Sequence, residues 1–477
     1  MTKSNALLPS ELTLLIAELR HRIDYLERSV LELKQENEAL RRENEELKAR
    51  LNLNSRNSSQ PPSSDGWNRR QPKSLREKGL HPRGGQPGHE GKTLERAEEP
   101  DRVQFHGAAR CDACGAELDE GEVIQSRQVI DVAPIRKEVV EHRVRQTRCA
   151  CGKVHVGQFP SEVNASVQYG PVVKAIAVHL NQGQLIPVAR TAQCIEDLLG
   201  LPVSQTFVMQ ACTQAKERLE PVVDEIGRAV QAAPVVHADE TGLRVNQRLN
   251  WLHTACTTTL TWLGLHEKRG QEAFQAQDIL PAFKGVLVHD GWKPYQALDC
   301  THALCNAHHL RELTYVQEQM HQPWAGDMIA LLTQANRTVQ ANPCGISPEQ
   351  IGHWQAVYDL ILEQATLENP RAAPTGKRGK TKQTKATNLI ARLREFADDV
   401  WRFATDPSVP FTNNLAEQAV RMTKVKQKIS GGFRTQDGAD TFCTIRSYLA
   451  TLRKQGANLF HALVNTFNGY PSHPQWA

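Results

Sequence analysis

A chain of 477 residues is too long for a single hydrophobic core, so two to four domains are expected at about 150 residues each. With 40% hydrophobic and 23% charged residues it has an ordinary globular composition. No apolar stretch approaches the ~20 residues that span a bilayer, and "MTKSNALLPSEL" lacks a basic-then-apolar leader, so no membrane association and a cytoplasmic location are expected. A net charge of +4 names no partner, and eleven scattered cysteines suit metal binding or core packing better than a disulfide framework.

Residues 1–52 carry an unbroken heptad. Leu12, Leu19, Leu26, Leu33, Leu40 and Leu47 occupy d, and Ile16, Ile23, Val30, Asn37, Asn44 and Leu51 occupy a. β-Branched residues at a with leucine at d favour a parallel two-stranded coiled coil, and the two asparagines trade stability for register. Arg22 with Glu27, Glu36 with Arg41 and Glu43 with Lys48 are attractive g-to-e pairs across such a homodimer.

Residues 53–105 change to Ser, Asn, Pro, Gly and basic residues, as in "NSSQPPSSDG" and "GGQPGHEGKTL", a composition that cannot build a core. This linker is either a plain tether or a cationic strand lying along phosphates. Residues 106–162 contain "CDACG" and "RCACGK". Cys111, Cys114, Cys149 and Cys151 have the spacing of a structural zinc site, with the alternating Val and Ile between them read as the strands of a zinc ribbon. Cys-x-Cys bites more tightly than Cys-x-x-Cys, so His155 competes for the fourth ligand position, and stray core cysteines are the alternative. Residues 165–230 are helical, with a helix-turn-helix cadence: Gly200 to Pro202 turn, Ser204 caps, and Gln205 and Thr206 lead the second helix. An ordinary antiparallel helix pair fits equally well.

Residues 231–435 hold the chemistry. "PVVHADETGL" reads as a short buried strand with Asp239 at or just past its end; the aspartate either caps a turn or shares a cation with distant partners. Two further antiparallel strands and a helix near residues 271–279 follow. "GVLVHDGWKPY" then repeats the pattern, with Asp290 at a strand end. A three-strand meander, a helix and a strand returning beside the first is the order of an α/β RNase H-like fold, which would bring Asp239 and Asp290 together. "FTNNLAEQAVRMTKVKQKISGGFR" provides a helix that begins at an asparagine cap and stops at Gly431–Gly432. On it Glu417, Arg421 and Lys424 share a face, the pattern of a metal ligand beside phosphate-holding cations, or of an exposed Glu–Arg pair. Residues 371–394 carry eight Lys or Arg and no acid, and 420–434 carry five and no acid, which favours a nucleic-acid partner over a solvated surface. Residues 436–477 read as a C-terminal helical tail.

Taken in order, "NSSQPPSSDG", "GGQPGHEGKTL", the cysteine pairs, "HADETGLRV", "VHDGWKPY", "LCNAHHLREL" and "NNLAEQAVRMTKVKQKISGGFR" resemble the transposases of the insertion sequence 66 family. The resemblance runs from the N-terminal helix to about residue 467. It implies a DDE transposase whose catalytic triad is Asp239, Asp290 and Glu417, with a helical insertion at about 300–405 in the 126 residues separating the last two. It also implies double-stranded DNA as partner (element ends and target), accessory proteins of the same element, and a nucleoid-associated location. Cys305 and His308 match the family's Cys-x-x-His signature; binding a metal, shaping the site and structural packing stay open for them, with packing favoured. Phosphodiester cleavage of this type calls for two magnesium or manganese ions about 3.5–4 Å apart on three carboxylates. Arg421, Lys424, Lys426, Lys428 and Arg434 would neutralise phosphates nearby. The rivals are a non-catalytic DNA-binding regulator built on coiled coil and ribbon, and a nuclease of the same fold that does not join strands.

Overall fold

The computed structural model describes residues 9–58, 94, 96–106, 108–117, 122–131, 137–373 and 381–476. The linker motifs "NSSQPPSSDG" and "GGQPGHEGKTL" and the centre of the 371–394 basic run therefore lie largely outside the described residues. The chain divides into two compact units at residues 72/73 and 214/215.

In the unit 73–214, α1 (Pro9–Leu51) being part of the other, the first elements are the strands β1 (Gln146–Arg148) and β2 (Val154–Val156), an antiparallel hairpin around the second cysteine pair. The segment between the two pairs is not the strand ribbon expected from its Val and Ile alternation: among its described residues only β1 is regular. Its apolar side chains, such as Ile124 and Val129, are exposed, so no facing layer holds them extended. There follow α2 (Pro171–Val178), a π-turn over His179–Gly183, α3 (Val188–Leu199) and α4 (Gln205–Gln231), with the unit boundary falling inside α4. Gly200 ends α3 at φ +63, and the Ser204 hydroxyl accepts the Phe207 N–H at 3.1 Å, capping α4. The turn chemistry read from the sequence is thus present, and Gln205 and Thr206 are exposed at the start of α4.

In the other unit, α1 is one 43-residue helix. Its a and d side chains from Ile16 to Leu47 are about half exposed along a single seam. Residues 53–58, expected to begin the linker, instead fold back onto a helix described below: Leu53 joins an apolar cluster, Asn57 is buried, and Arg56 pairs with Glu318.

The centre of this unit is a five-stranded mixed sheet. β3 (Val235–Val245), β4 (Arg248–Cys256) and β5 (Thr261–His266) form an antiparallel meander; α5 (Gln271–Gln277) crosses over; β6 (Val286–His289) and β7 (Thr301–Leu304) run parallel to β3. The spatial order is β5-β4-β3-β6-β7, so the first and fourth strands are neighbours. The central strands β3 and β6 are buried on both faces over residues 236–238 and 287–289, as strands of a sheet covered on both sides are. Thr301–Leu304 belongs to this sheet, so the helical insertion starts later than the expected residue 300.

The insertion comprises α6 (Asn306–Gln319), α7 (Pro323–Ala341), α8 (Pro348–Glu368), α9 (Lys385–Glu395) and α10 (Ala397–Thr405). It has its own core, in which Trp354 and Trp401 stack at 6.1 Å and Tyr358 meets Trp401 edge-on. The chain then returns to the sheet as α11 (Asn414–Ser430), followed by α12 (Gln436–Lys454) and α13 (Leu459–Phe467). The segment expected as a tail is a structural layer. Ser447 and Thr451 of α12 accept the Leu263 and Thr261 N–H groups of β5 at 2.9 and 3.0 Å, and Phe442, Tyr448 and Leu449 are buried. β5 is an edge strand, and α12 covers its free donors. No described helix is long and apolar enough to cross a membrane.

Candidate active site

The pairing of β3 with β6 runs Val235 to Val286, Val236 to Leu287 and His237 to Val288; continued two residues further, it sets Asp239 beside Asp290. Asp290 follows the last residue of β6, where its Oδ1 accepts the Trp292 N–H at 2.8 Å across a turn made by Gly291 at φ +85. Asp239 does not end its strand as the sequence suggested. β3 continues to Val245 because Thr241–Val245 pair with Arg248–Leu252 in a hairpin closed at Asn246 and Gln247. The aspartate therefore sits in mid-strand, its Oδ1 accepting the Glu240 N–H at 2.9 Å.

Glu417 arrives on the first turn of α11. Asn413 was expected to cap this helix with its side chain, yet it makes no cap bond. Its Nδ2 donates to the Ala238 carbonyl at 2.7 Å, and its Oδ1 accepts from His237 Nδ1 at 2.9 Å. The amide is buried, and two bonds to β3 satisfy it better than one helical N–H would. The Asn413 N–H meets Cys305 Sγ at 3.1 Å, and the Cys305 N–H donates to the His289 carbonyl at 2.9 Å. One short network thus joins the strands of both aspartates to the helix of the glutamate.

Further along α11, Lys424 Nζ and Gln427 Nε2 donate to the Gly242 carbonyl at 2.8 and 3.2 Å. Lys424, expected to hold phosphate, spends its ammonium on β3, and partial burial lowers its pKa. Gly432 packs so closely that a Cβ there would lie 2.5 Å from the Arg244 carbonyl, letting Phe433 donate to that oxygen at 2.8 Å. Arg421, Lys428 and Arg434 are exposed, and Lys426 lies over the Phe433 ring at 5.0 Å.

Asp239 feels the charges around it. Burial, reinforced by the charges of Glu240, Asp290 and Glu417, pushes the Asp239 carboxyl up to about 8. Their ligand oxygens do not all lie within 4.8 Å; among the described residues that closer grouping belongs to Cys305, His308 and Glu417. Carboxylate oxygens are the hard donors that divalent ions such as magnesium take. The carboxylates thus fit hard divalent ions by chemistry.

His308, left open by the sequence, and Arg311, which it did not single out, are the neighbours of Glu417. His308 Nδ1 lies 4.0 Å from Oε1, and Arg311 Nη2 lies 3.9 Å from Oε2. Burial and Arg311 lower the His308 pKa, while Glu417 and Asp290 oppose that shift. The two residues are three apart on α6, a helical spacing that would have revealed their shared face. Cys305 is buried, and burial pushes its thiol up to about 11.

A second buried carboxylate escaped the sequence reading. Glu240, pointing away from Asp239 by strand alternation, accepts from Arg269 Nε at 2.8 Å and Nη2 at 2.5 Å, and from the Tyr295 hydroxyl at 2.5 Å. The Arg269 guanidinium lies between the rings of Trp251, at 4.8 Å, and Trp292, at 4.1 Å. Burial raises the Glu240 pKa against these donors. This cluster grips residues 292–295, the loop that carries Asp290. No local pattern announces it, because its members come from four separated segments.

In the unit 73–214, each cysteine pair forms a knuckle. The Cys111 N–H donates to the Ala116 carbonyl at 2.9 Å and the Cys149 N–H to the Lys153 carbonyl at 2.8 Å, with Gly115 and Gly152 at positive φ. Backbone N–H groups directed at the sulfurs lower the Cys111 and Cys149 pKa. These donors suit thiolate ligands, although the two pairs do not converge on one point.

Residues 166–441 match the model described as the Transposase IS66 family, and residues 3–95 match a family of unknown function. An uncharacterised protein of Sinorhizobium fredii, y4jO, is 27% identical over 131 residues, 24% of this chain and 41% of that protein. Another from the same organism, y4hP, is 21% identical over 403 residues, 74% of this chain and 69% of that protein. Because the family match spans more than half of the sequence and contains the two strands, the insertion and the helix that meet at the site, this chain belongs to the IS66 family of transposases.

Proposed function

We propose that the protein is a DDE transposase that cleaves DNA at the ends of an insertion sequence and joins the freed ends to target DNA, on an RNase H-like catalytic domain. The observation that carries this reading is geometric: the β3–β6 register, continued, sets Asp239 beside Asp290, and the Asn413 bonds to Ala238 and His237 tie the helix of Glu417 to the same strand. Asp239 is assigned as the ligand that two ions would share, with Asp290 and Glu417 each holding one of them. Two magnesium or manganese ions bound there would supply a nucleophile at neutral pH and relieve charge on the leaving oxygen.

The chain's own residues do the rest. The Asn413 clamp and the Glu240–Arg269–Tyr295 cluster hold the carboxylates in place. Arg421, Lys426, Lys428 and Arg434 neutralise phosphates, giving salt-dependent affinity with little base information. Hydrolysis of a phosphodiester leaves a 3′-hydroxyl and a 5′-phosphate; attack of that hydroxyl on a target phosphodiester releases a new 3′-hydroxyl and requires no covalent protein–DNA intermediate. Base reading is assigned to the segment preceding β3, with Gln205 and Thr206 at the start of α4 and the two cysteine knuckles, whose thiolates would take structural zinc, as its parts. Pairing through α1 would let one homodimer hold both element ends.

The test is Asp239→Asn. Loss of metal-dependent cleavage with DNA affinity retained is expected, whereas unchanged cleavage removes the assignment. Strand transfer from pre-cut ends separates a transposase from a nuclease.

A further inference from the structure

The three potential ligand atoms closest together among the described residues are not the aspartates. Cys305, His308 and Glu417 offer atoms that all lie within 4.8 Å of one another, and we propose that they form a site for a thiophilic divalent cation of the zinc class, separate from the pair Asp239 and Asp290.

Four observations support this. His308 Nδ1 and Glu417 Oε1 are both buried atoms with no hydrogen-bond partner, and they face each other at 4.0 Å. Unpaired buried polar atoms are costly, so two aimed at one gap point to something that fills it. Arg311 approaches the other glutamate oxygen, Oε2, at 3.9 Å, which leaves Oε1 to the gap. Cys305 immediately precedes α6 and His308 lies in its first turn, so a Cys-x-x-His step brings sulfur and imidazole to one side. The Asn413 N–H points at the sulfur at 3.1 Å, the kind of backbone contact seen at the Cys111 and Cys149 knuckles. The donor set of one sulfur, one imidazole nitrogen and one carboxylate oxygen suits zinc or cobalt and not magnesium, which prefers oxygen.

Ligands around tetrahedral zinc stand roughly 3.3–3.8 Å apart, so closing the shell draws these atoms in by about 1 Å. Cation binding would displace the thiol proton. Side chains of His308 and Glu417 are 21% and 24% exposed, providing an entry path and room for water as fourth ligand. If Glu417 also serves the catalytic ions, occupancy of this site withdraws it and holds the enzyme in a resting form; that consequence rests on the function proposed above, whereas the binding does not.

The experiment uses the full chain, stripped of metal and titrated with Co²⁺ while thiolate-to-cobalt charge transfer and ligand-field absorption are followed. Cys111→Ser and Cys114→Ser are present in every sample to reduce the knuckle background. Against that reference, His308→Ala, Glu417→Gln and Cys305→Ser are each expected to lose thiolate-to-cobalt charge transfer, and Asp239→Asn, whose neighbours Asp290 and Glu417 offer only oxygen, none of it. Should Cys305→Ser fail to fold, the first two variants decide. An unchanged charge-transfer signal in His308→Ala, an unchanged signal in Cys305→Ser, or equal loss of the signal in Asp239→Asn would overturn the proposal. Failure of the catalytic reading shows separately, as cleavage that survives Asp239→Asn.

Discussion

Asn413 and Ala238 are joined by a hydrogen bond of 2.7 Å across 175 residues of chain, tying the helix of Glu417 to the strand of Asp239. Asn413→Ala removes that bond and its companion to His237, leaving a buried carbonyl and imidazole unpaired. A loss of about 1–3 kcal/mol is expected in denaturant unfolding. Cleavage should fall further than the stability loss explains, with the metal concentration for half-maximal activity raised.

The Asp239 carboxyl sets a pH dependence in the metal-free protein. Its folded pKa of about 8 lies above the ordinary value of 3.8, so the native state holds a proton that the unfolded chain has released. This group's contribution is full below about pH 4 and is lost as pH rises through 8, on the order of a few kcal/mol. Asp239→Asn should flatten that fall in thermal unfolding between pH 5 and 8, and added Mg²⁺ should offset it most at the alkaline end.

Glu240→Gln keeps the shape but removes the charge that Arg269 and Tyr295 engage. Because those contacts hold the loop after Asp290, cleavage is expected to weaken while DNA affinity stays within about twofold, as filter binding would record. Tyr295→Phe, losing one donor, should have the smaller effect.

Asn37 and Asn44 lie on the a seam of α1. Replacing both with leucine should stabilise the assembly against heat but admit trimers or tetramers beside dimers, measurable by sedimentation equilibrium. A single monomeric species for both proteins would remove the coiled-coil assignment.

Lys428 and Arg434 are exposed at the carboxyl end of α11. Substituting either with alanine should reduce the slope of log affinity against log salt by about 0.9 and weaken binding alike for all sequences. Lys424→Ala should instead act on stability, since its ammonium is held by Gly242.

Periodicity and punctuation are local properties, and what depends on them was legible in the chain. The 43-residue helix, the Gly200 turn with its Ser204 cap, the meander followed by a returning strand, and the stop at Gly431–Gly432 all follow from hydrophobic spacing and backbone preference. The three acids were legible as candidates because each ends or interrupts a patterned segment.

Tertiary structure decided the contacts between remote segments. Asn413 is a good cap by type, but a buried carbonyl on β3 outbids a helical N–H, and only the fold brings that carbonyl near. Lys424 shares a helix face with Glu417, yet whether it meets phosphate or Gly242 depends on how closely Gly432 lets α11 approach. Glu240, Arg269, Trp292 and Tyr295, and likewise Cys305, His308 and Glu417, are clusters of side chains drawn from separate elements. Such clusters carry no period in the sequence, because hydrogen bonds and charges act through space and the chain records only order.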